Sequence, residues 1–315
     1  MTDKPGDTIV KNGRTLKKFV NEISGPVFSL PWLVARDEGL FEEEGLAVEF
    51  IKARQPQGLP RIVTDPRLVP SIAGHKPFED NEAAAYRACH WGQVRRAYDS
   101  ERGGRIAGKR SAIGVQAIIS APGSKFTHPQ TLAGEPVAVR FHRGSHYATL
   151  QLLEGFLKRD EIKTVNMSHE EGYEAVRSGE IAAVSLMDPW ITLAEKEDFQ
   201  VIAETHYVGT EIAAPDVDAE TWEAINRAIK VAVRRINADK KKYVHYFFDY
   251  LPAKYHHLIT VDDFHLPRLR YVDPAPYDAR EFEQTQEWLV TWGLIEADAC
   301  FERLVDTRLH DAIPA

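Results

Sequence analysis

Cysteine is scarce in this chain: Cys89 and Cys300 are the only two among 315 residues. That scarcity excludes a disulfide-rich scaffold and a zinc site built from cysteines. Long hydrophobic runs are missing too, because mean hydropathy is −0.35 and no stretch approaches the ~20 apolar residues of a membrane span. Basic residues are outnumbered by acidic ones, 39 to 47, and the resulting net charge of −8 argues against a general nucleic-acid-binding protein.

The first 18 residues also lack a feature, the run of ~7–15 apolar residues that a secretory signal needs. This predicts a cytoplasmic protein, with a trimmed leader as the alternative. The chain is nevertheless 43% hydrophobic and 10% aromatic, which is enough to bury a sizeable core. Its length suggests about two domains.

The N-terminal part has the pattern of a strand–helix–strand unit. Leu16 to Ile23 alternates as a strand, and Leu46 to Ala53 alternates again. Between them, Leu30 to Glu38 is typical of a helix with Pro31 near its start and Gly39 at its end. A parallel βαβ unit is therefore predicted.

The same pattern returns in the middle of the chain. Pro136 to Phe141 is predicted to be a strand, and Ser145 to N-cap a helix that runs through Leu157. Ser168 and Glu171 have the spacing of a capping box, and Ile181 to Leu186 reads as a buried strand. Strands that alternate with helices predict an α/β fold. The last third is predicted to be helical, over Ala219 to Asn237, Lys241 to Leu251 and Glu281 to Trp292.

Four segments, in order, resemble a known fold. Leu30 to Phe50 (LPWLVARDEGLFEEEGLAVEF) resembles the opening of the type II periplasmic binding-protein fold, closest to the NMT1/THI5-like and nitrate, taurine and sulfonate substrate-binding proteins. Ser120 to Ser124 with the following strand is similar to the segment that opens the second lobe. Gly179 to Trp190 resembles the strand and loop that reach the cleft, and Phe282 to Leu294 the closing helix.

The resemblance implies two α/β lobes, each with a mixed sheet flanked by helices, joined by two hinge crossovers around a ligand cleft. We expect lobe I at about 15–113 and 210–315, and lobe II at about 114–209. The hinge strands are expected near Ala112 to Ser120 and Val201 to Thr210. Because ligands of open α/β sheets lie outside the carboxyl ends of strands, the candidate site residues are sought there.

Two places in lobe I meet that condition. Phe28 and Trp32 follow the first strand and offer a surface on which a planar ligand can stack, with core packing as the alternative. His90 and Trp91 are predicted to follow an Ala-rich helix and to enter the cleft. His90 is a candidate acid, base or anion donor, and a structural histidine is the alternative.

In lobe II, a strand leads into a helix N-terminus, where free N–H groups and the helix dipole favour an anion. We expect the anionic group of the ligand against the backbone around Gly144, Ser145 and His146, with Arg140 or Arg143 alongside. A solvated loop before a capped helix is the alternative.

Three further candidates complete the predicted lobe II site, with ordinary capping as the alternative for the first of them: Asp188, Trp190 and Tyr147. His142 and His146 join His90 as catalytic candidates. Gly144 breaks the helix between His142 and His146, so no metal site is predicted, and no cofactor motif is present.

Two functions remain open. The first is a protein that binds a small anionic metabolite, aromatic or carrying a sulfonate or carboxylate, with an ABC permease as partner if the chain is secreted. The second is a cofactor-independent lyase or hydrolase of desulfinase or decarboxylase type, using the cleft histidines. The chain is also similar to the aromatic sulfinate desulfinase, but Gly25 stands where that enzyme has its nucleophilic cysteine. The cysteine-rich motif of the related pyrimidine-precursor synthase is absent.

Overall fold

The computed structural model describes residues 8–11, 13–54 and 62–314. Within them the strands, in chain order, are β1 (Thr8–Lys11), β2 (Arg14–Ile23), β3 (Leu46–Lys52), β4 (Ala85–Cys89), β5 (Arg105–Lys109), β6 (Ala112–Ser120), β7 (Pro136–Val139), β8 (Lys163–Asn166), β9 (Ala183–Leu186), β10 (Gln200–Tyr207), β11 (Gly209–Ala213) and β12 (Arg270–Tyr271). The helices are α1 (Pro26–Asp37), α2 (Leu40–Glu43), α3 (Lys76–Glu79), α4 (His90–Asp99), α5 (Gly144–Leu153), α6 (His169–Arg177), α7 (Trp190–Lys196), α8 (Ala219–Ala238), α9 (Lys240–Tyr243), α10 (Ala279–Thr291), α11 (Phe301–Leu304) and α12 (Thr307–His310).

The strands form two mixed sheets, and each sheet with its helices is a lobe. The first lobe has the order β1-β2-β4-β11-β5, with β3 parallel to β2. The second lobe has the order β10-β6-β9-β7-β8, with β12 paired to β6. Helices flank both sheets, so the predicted α/β class is confirmed.

Two crossovers join the long strands of the two sheets, and the short β12 later adds to the second sheet. The chain leaves the first sheet after β5 and enters the second with β6, and it returns between β10 and β11. Arg110 lies in the first crossover and Tyr207 ends the strand before the second. The side chains of these two positions therefore lie at the junction of the lobes.

The predicted parallel βαβ unit is present, but its helix begins earlier. β2 and β3 pair in parallel register from Lys17 with Leu46 to Ile23 with Lys52. α1 begins at Pro26, whose fixed φ suits the first helical position. Pro31 consequently lies inside the helix instead of near its start.

Two local predictions are wrong. The Ala-rich stretch before His90 is the strand β4, because pairing between β2 and β11 in the centre of the first sheet overrides the helix propensity of alanine. Lys241 to Leu251 is the short helix α9 followed by a 3₁₀ segment, Val244–Tyr250. Pro252 follows directly, and a residue before proline disfavours the helical conformation.

The long helices α8 and α10 of the last third are as predicted. Trp288 on α10 and Trp292, the residue directly after it, donate their indole N–H groups to the Glu154 carboxylate of the second lobe at 2.6 and 2.8 Å. The last third therefore contacts both lobes. Among the described residues, no helix is long and apolar enough to cross a membrane.

The predicted capping box at the start of α6 is present. The Ser168 hydroxyl accepts from the Glu171 N–H at 3.2 Å, and the Glu171 carboxylate accepts from the Ser168 N–H at 2.9 Å. We expect Ser168→Ala to lower the free energy of unfolding by about 1 kcal/mol, because an orphan helix donor loses its acceptor. Ser168→Asp keeps an acceptor and should stay near the parent in urea denaturation. An equal loss in both variants would contradict this assignment.

Candidate functional site

The turn from β7 into α5 presents a helix N-terminus to the lobe junction. His142 adopts a left-handed conformation, φ 57°, and α5 then begins at Gly144 with Arg143 at the N-cap position. The prediction that Ser145 is the N-cap is wrong. Its hydroxyl accepts from the Arg140 N–H at 2.9 Å and so stabilises the turn before the helix. The His146 and Tyr147 N–H groups donate to the Arg143 carbonyl at 3.0 and 3.3 Å, whereas the Gly144 and Ser145 N–H groups come too early in α5 to have an acceptor within the helix.

Two side chains from the crossovers face this helix start. The Tyr207 ring lies so close to Gly144 that a Cβ there would be 2.8 Å from Cζ, which is why glycine is required. The Arg110 guanidinium lies beside the same tyrosine, with Cζ 5.3 Å from the ring centroid. Burial raises the pKa of the Tyr207 hydroxyl, and the positive charge of Arg110 lowers it in part.

Tyr207 Oη and Arg110 Nη1, which we call the hinge donors, are both buried. Neither atom makes a hydrogen bond of ordinary geometry within the described part of the chain, although the guanidinium and the phenol hydroxyl interact with each other. A buried donor without an acceptor costs free energy on the order of 1–3 kcal/mol, more for a charged group. The hinge donors and the Gly144 and Ser145 N–H groups thus form one region with more donors than acceptors.

Phe28 lies behind the hinge donors. Arg110 Cζ is 3.8 Å from the centroid of the Phe28 ring, a cation–π contact. The ring also meets Tyr207 edge-on, with centroids 6.3 Å apart. The face that was expected to stack on a ligand is therefore used to hold Arg110.

Arg143 reaches across to the first lobe. Its Nη1 donates to His75 Nε2 at 2.6 Å, so the other ring nitrogen, Nδ1, carries the proton and donates to the Glu22 carboxylate. Burial raises the pKa of Glu22 to about 8, although the positive charges of Arg143, Arg96 and Arg87 act in the opposite direction. Burial and the same arginines lower the pKa of His75.

Sequence reasoning missed Glu22 and His75. Glu22 is the second-last residue of β2. A charged residue at the carboxyl end of a strand was the signal in the sequence that could have identified it as a site residue. His75 is 53 residues away in the chain, and no local pattern connects the two.

Trp32 belongs to a buried ion-pair cluster in the first lobe. Arg87 Nε donates to Glu211 at 3.0 Å, and Trp32 Nε1 donates to the same carboxylate at 3.2 Å. Arg87 also stacks over the Trp32 ring at 4.2 Å, and its Nη2 donates to Asn21 Oδ1 at 2.8 Å. Glu211 thus neutralises Arg87, and Trp32 helps to position both side chains.

His90 is the first residue of α4 and its imidazole Nδ1 lies 2.7 Å from the Val208 carbonyl oxygen. Burial lowers the pKa of His90 to about 4. Trp91 packs against Tyr147 and Tyr207, with centroids 6.2 and 5.3 Å apart. His90 and Trp91 also line an open groove of about 230 Å³ beside α10.

The histidines of the α5 turn are held by hydrogen bonds. His142 Nε2 donates to the Pro66 carbonyl at 2.9 Å, and Nδ1 lies 3.3 Å from the Tyr147 hydroxyl. His146 Nδ1 accepts from the His142 N–H at 3.4 Å. Burial lowers the pKa values of His142 and His146 to about 4 and about 3. Both are therefore neutral at pH 7, and their catalytic role stays a prediction.

The remaining site candidates, Asp188, Trp190 and Arg140, make other contacts. Asp188 accepts from the N–H and the hydroxyl of Thr192 at 3.1 and 2.8 Å, and burial raises its pKa. Trp190 packs on Tyr173 in the second lobe, with centroids 5.4 Å apart. Arg140 is buried close to Arg96, and both effects lower its pKa. Among the described residues, no group of three or more His, Cys, Asp or Glu side chains is placed to hold a metal ion.

The chain matches no protein-family model and no curated protein. Its fold is shared by solved structures. The periplasmic aliphatic sulphonate-binding protein SsuA from Escherichia coli is 12% identical, with a TM-score of 0.67 over 93% of this chain and 98% of that one. The alkanesulfonate-binding protein SsuA from Xanthomonas axonopodis pv. citri, bound to MOPS, is 13% identical, with a TM-score of 0.66 over 93% and 96%.

The desulfurization enzyme DszB is 13% identical, with a TM-score of 0.61 over 94% of this chain and 98% of that one. These similarities confirm that the chain has the type II periplasmic binding-protein fold that the sequence predicted.

The buried Glu22 predicts a pH dependence of stability. Its pKa is about 8 in the folded protein against an ordinary 4.5, so the folded state keeps a proton that the unfolded chain releases. The stability that this adds is complete below pH 4.5 and is lost as the pH rises through about 8. Glu22→Gln keeps the acceptor for His75 but cannot ionise.

We therefore expect Glu22→Gln to gain stability relative to the parent by up to ~1.4 kcal/mol per pH unit across this window. Urea denaturation from pH 5 to 8 measures it. The exposed Glu49→Gln is the control and should follow the parent. A pH-independent difference between Glu22→Gln and the parent would contradict the assignment.

Proposed function

We propose that this chain binds a small acid-bearing molecule between its two lobes, with the acid group at the α5 N-terminus against the hinge donors. The observation that carries this is the pair of buried donors, Tyr207 Oη and Arg110 Nη1, beside a helix start. All of these groups donate, and an anionic oxygen is the acceptor that satisfies them together.

The charge around the junction supports an anion. The chain as a whole is acidic, with a net charge of −8, yet Arg87, Arg96 and Arg110 are buried near the lobe junction and Arg143 is half-buried there. The buried carboxylates among them are Glu22 and Glu211. Arg87 is neutralised by Glu211 at 3.0 Å, so the remaining group is cationic and a negatively charged ligand lowers its electrostatic free energy.

Two fold neighbours support the ligand class, since the SsuA proteins of Escherichia coli and Xanthomonas axonopodis bind aliphatic sulphonates and alkanesulfonates. We propose a sulfonate or a carboxylate with an apolar, aromatic part. Trp91 and Tyr147 pack beside Tyr207 and supply apolar contact for such a part. An import partner such as an ABC permease and the cytoplasmic location both stay predictions, and cell fractionation of the native host decides between them.

A lyase or hydrolase on this scaffold is the second candidate, with His90, His142 and His146 as its acid–base residues. The Glu22–His75 pair is not its general base, because His75 Nε2 already accepts from Arg143 and the raised pKa of Glu22, about 8, keeps that carboxyl protonated at pH 7. DszB shows that the fold also occurs in an enzyme. The chain has Gly25 at the place of the expected cysteine, so the chemistry of a thiol at that place does not carry over.

Tyr207→Phe tests the proposed anion site. It removes one donor without changing the ring, and we expect it to weaken binding of the best ligand from a panel of sulfonates and carboxylates about 10-fold or more, since a hydrogen bond to a charged group is worth ~1.5–3 kcal/mol. Isothermal titration calorimetry measures the change.

Tyr271→Phe is the matched control, because that hydroxyl is also buried without a partner in the described chain but faces the Asp188 region. It should bind as the parent does. If Tyr207→Phe binds every ligand as tightly as Tyr271→Phe, the hinge donors do not hold the acid group.

A further inference from the structure

Residues 63–75, which we call the strap, belong to the first lobe by chain order but bind the second. They lie between β3 and β4, two strands of the first sheet. At the start of the strap, Val63 forms an antiparallel bridge with Asn166, the last residue of β8. The Asn166 N–H donates to the Val63 carbonyl at 2.7 Å.

The middle of the strap is tied to the turn before α5. The Pro66 carbonyl accepts from His142 Nε2 at 2.9 Å, and the Ser71 carbonyl accepts from Arg96 Nε at 3.1 Å. The other end of that guanidinium, Nη2, donates to the His142 carbonyl. Arg96, from α4 of the first lobe, therefore links the strap and the second lobe with one side chain.

The end of the strap is packed against Arg143. A methyl group at Gly74 would overlap the Arg143 guanidinium, and the next residue, His75, accepts from Arg143 Nη1 at 2.6 Å. Glu22 on β2 holds His75 from the side of the first lobe. Hydrogen bonds thus connect Glu22 on β2 of the first sheet through His75 to Arg143 of the second lobe.

We propose that the strap is a built-in clamp that holds the two lobes closed without a ligand, so that ligand exchange requires it to leave the second lobe. Three separate places along it hydrogen-bond to that lobe, and the lobes of this fold otherwise close by hinge motion around their ligand. Closure of the lobes follows from these contacts alone, whereas the part of the strap in ligand exchange rests on the proposed function.

Gly74→Ala weakens the clamp without touching the hinge donors, because the added methyl group displaces Arg143. We expect hydrogen exchange at the Asn166 amide to become at least about tenfold faster and the radius of gyration in small-angle X-ray scattering to increase. Gly155→Ala is the control, since a Cβ there meets its nearest atom at 3.6 Å. It should leave both values unchanged.

The double variant Val63→Cys/Asn166→Cys, made with Cys300→Ser to remove the exposed native thiol, closes the strap covalently. Facing residues of an antiparallel bridge lie within reach of a disulfide. We expect the oxidised form to release bound benzenesulfonate at least about tenfold more slowly than the same protein after reduction, which serves as its own control.

The clamp is wrong if Gly74→Ala exchanges and scatters like Gly155→Ala, or if oxidised and reduced double variants show the same exchange rates in residues 163–166 and in the strap. If these ligand-free measurements come out as expected while benzenesulfonate and the other acids fail to bind any variant, the clamp stands and the proposed function falls.

Discussion

Cationic guanidinium groups buried between two lobes are the constraint on which the rest of this structure depends. Each needs acceptors, because a buried charge without them is costly. Arg87 obtains them from Glu211 and Asn21, and Arg143 from the His75–Glu22 pair across the junction. Arg110 has a ring face from Phe28 and a carbonyl from Ala112 at 2.8 Å, which leaves Nη1 for another acceptor. We propose that the acid group of the ligand is the acceptor for Arg110 Nη1.

Hydrogen bonds within a few residues of each other were predictable from the sequence, and contacts between distant residues were not. The Ser168–Glu171 capping box was found because helix geometry links positions three apart. β4 was mistaken for a helix because its alanines favour one locally, and only the flanking strands reveal its true state. Tyr207 was missed for the same reason: its place beside Gly144 depends on a crossover, which no local pattern encodes.

The arginine that we propose for the acid group is neither of the two that the sequence suggested, Arg140 and Arg143. Arg143 was expected beside the acid group of a ligand, but its guanidinium holds His75 and packs on Gly74. The arginine of the proposed site is Arg110, which comes from the first crossover and lies beside Tyr207. In the proposed complex the ligand contacts both crossovers and the second lobe, so its binding would be coupled to the relative position of the lobes.

The most direct test is a crystal structure of the protein with bromobenzenesulfonate, in which the anomalous signal of bromine identifies the ring end of the ligand. The account predicts sulfonate oxygens within hydrogen-bond distance of Tyr207 Oη, Arg110 Nη1 and the first N–H groups of α5, with the ring toward Trp91 and Tyr147. A sulfonate found in the groove beside α10, or turned away from the hinge donors, would contradict it.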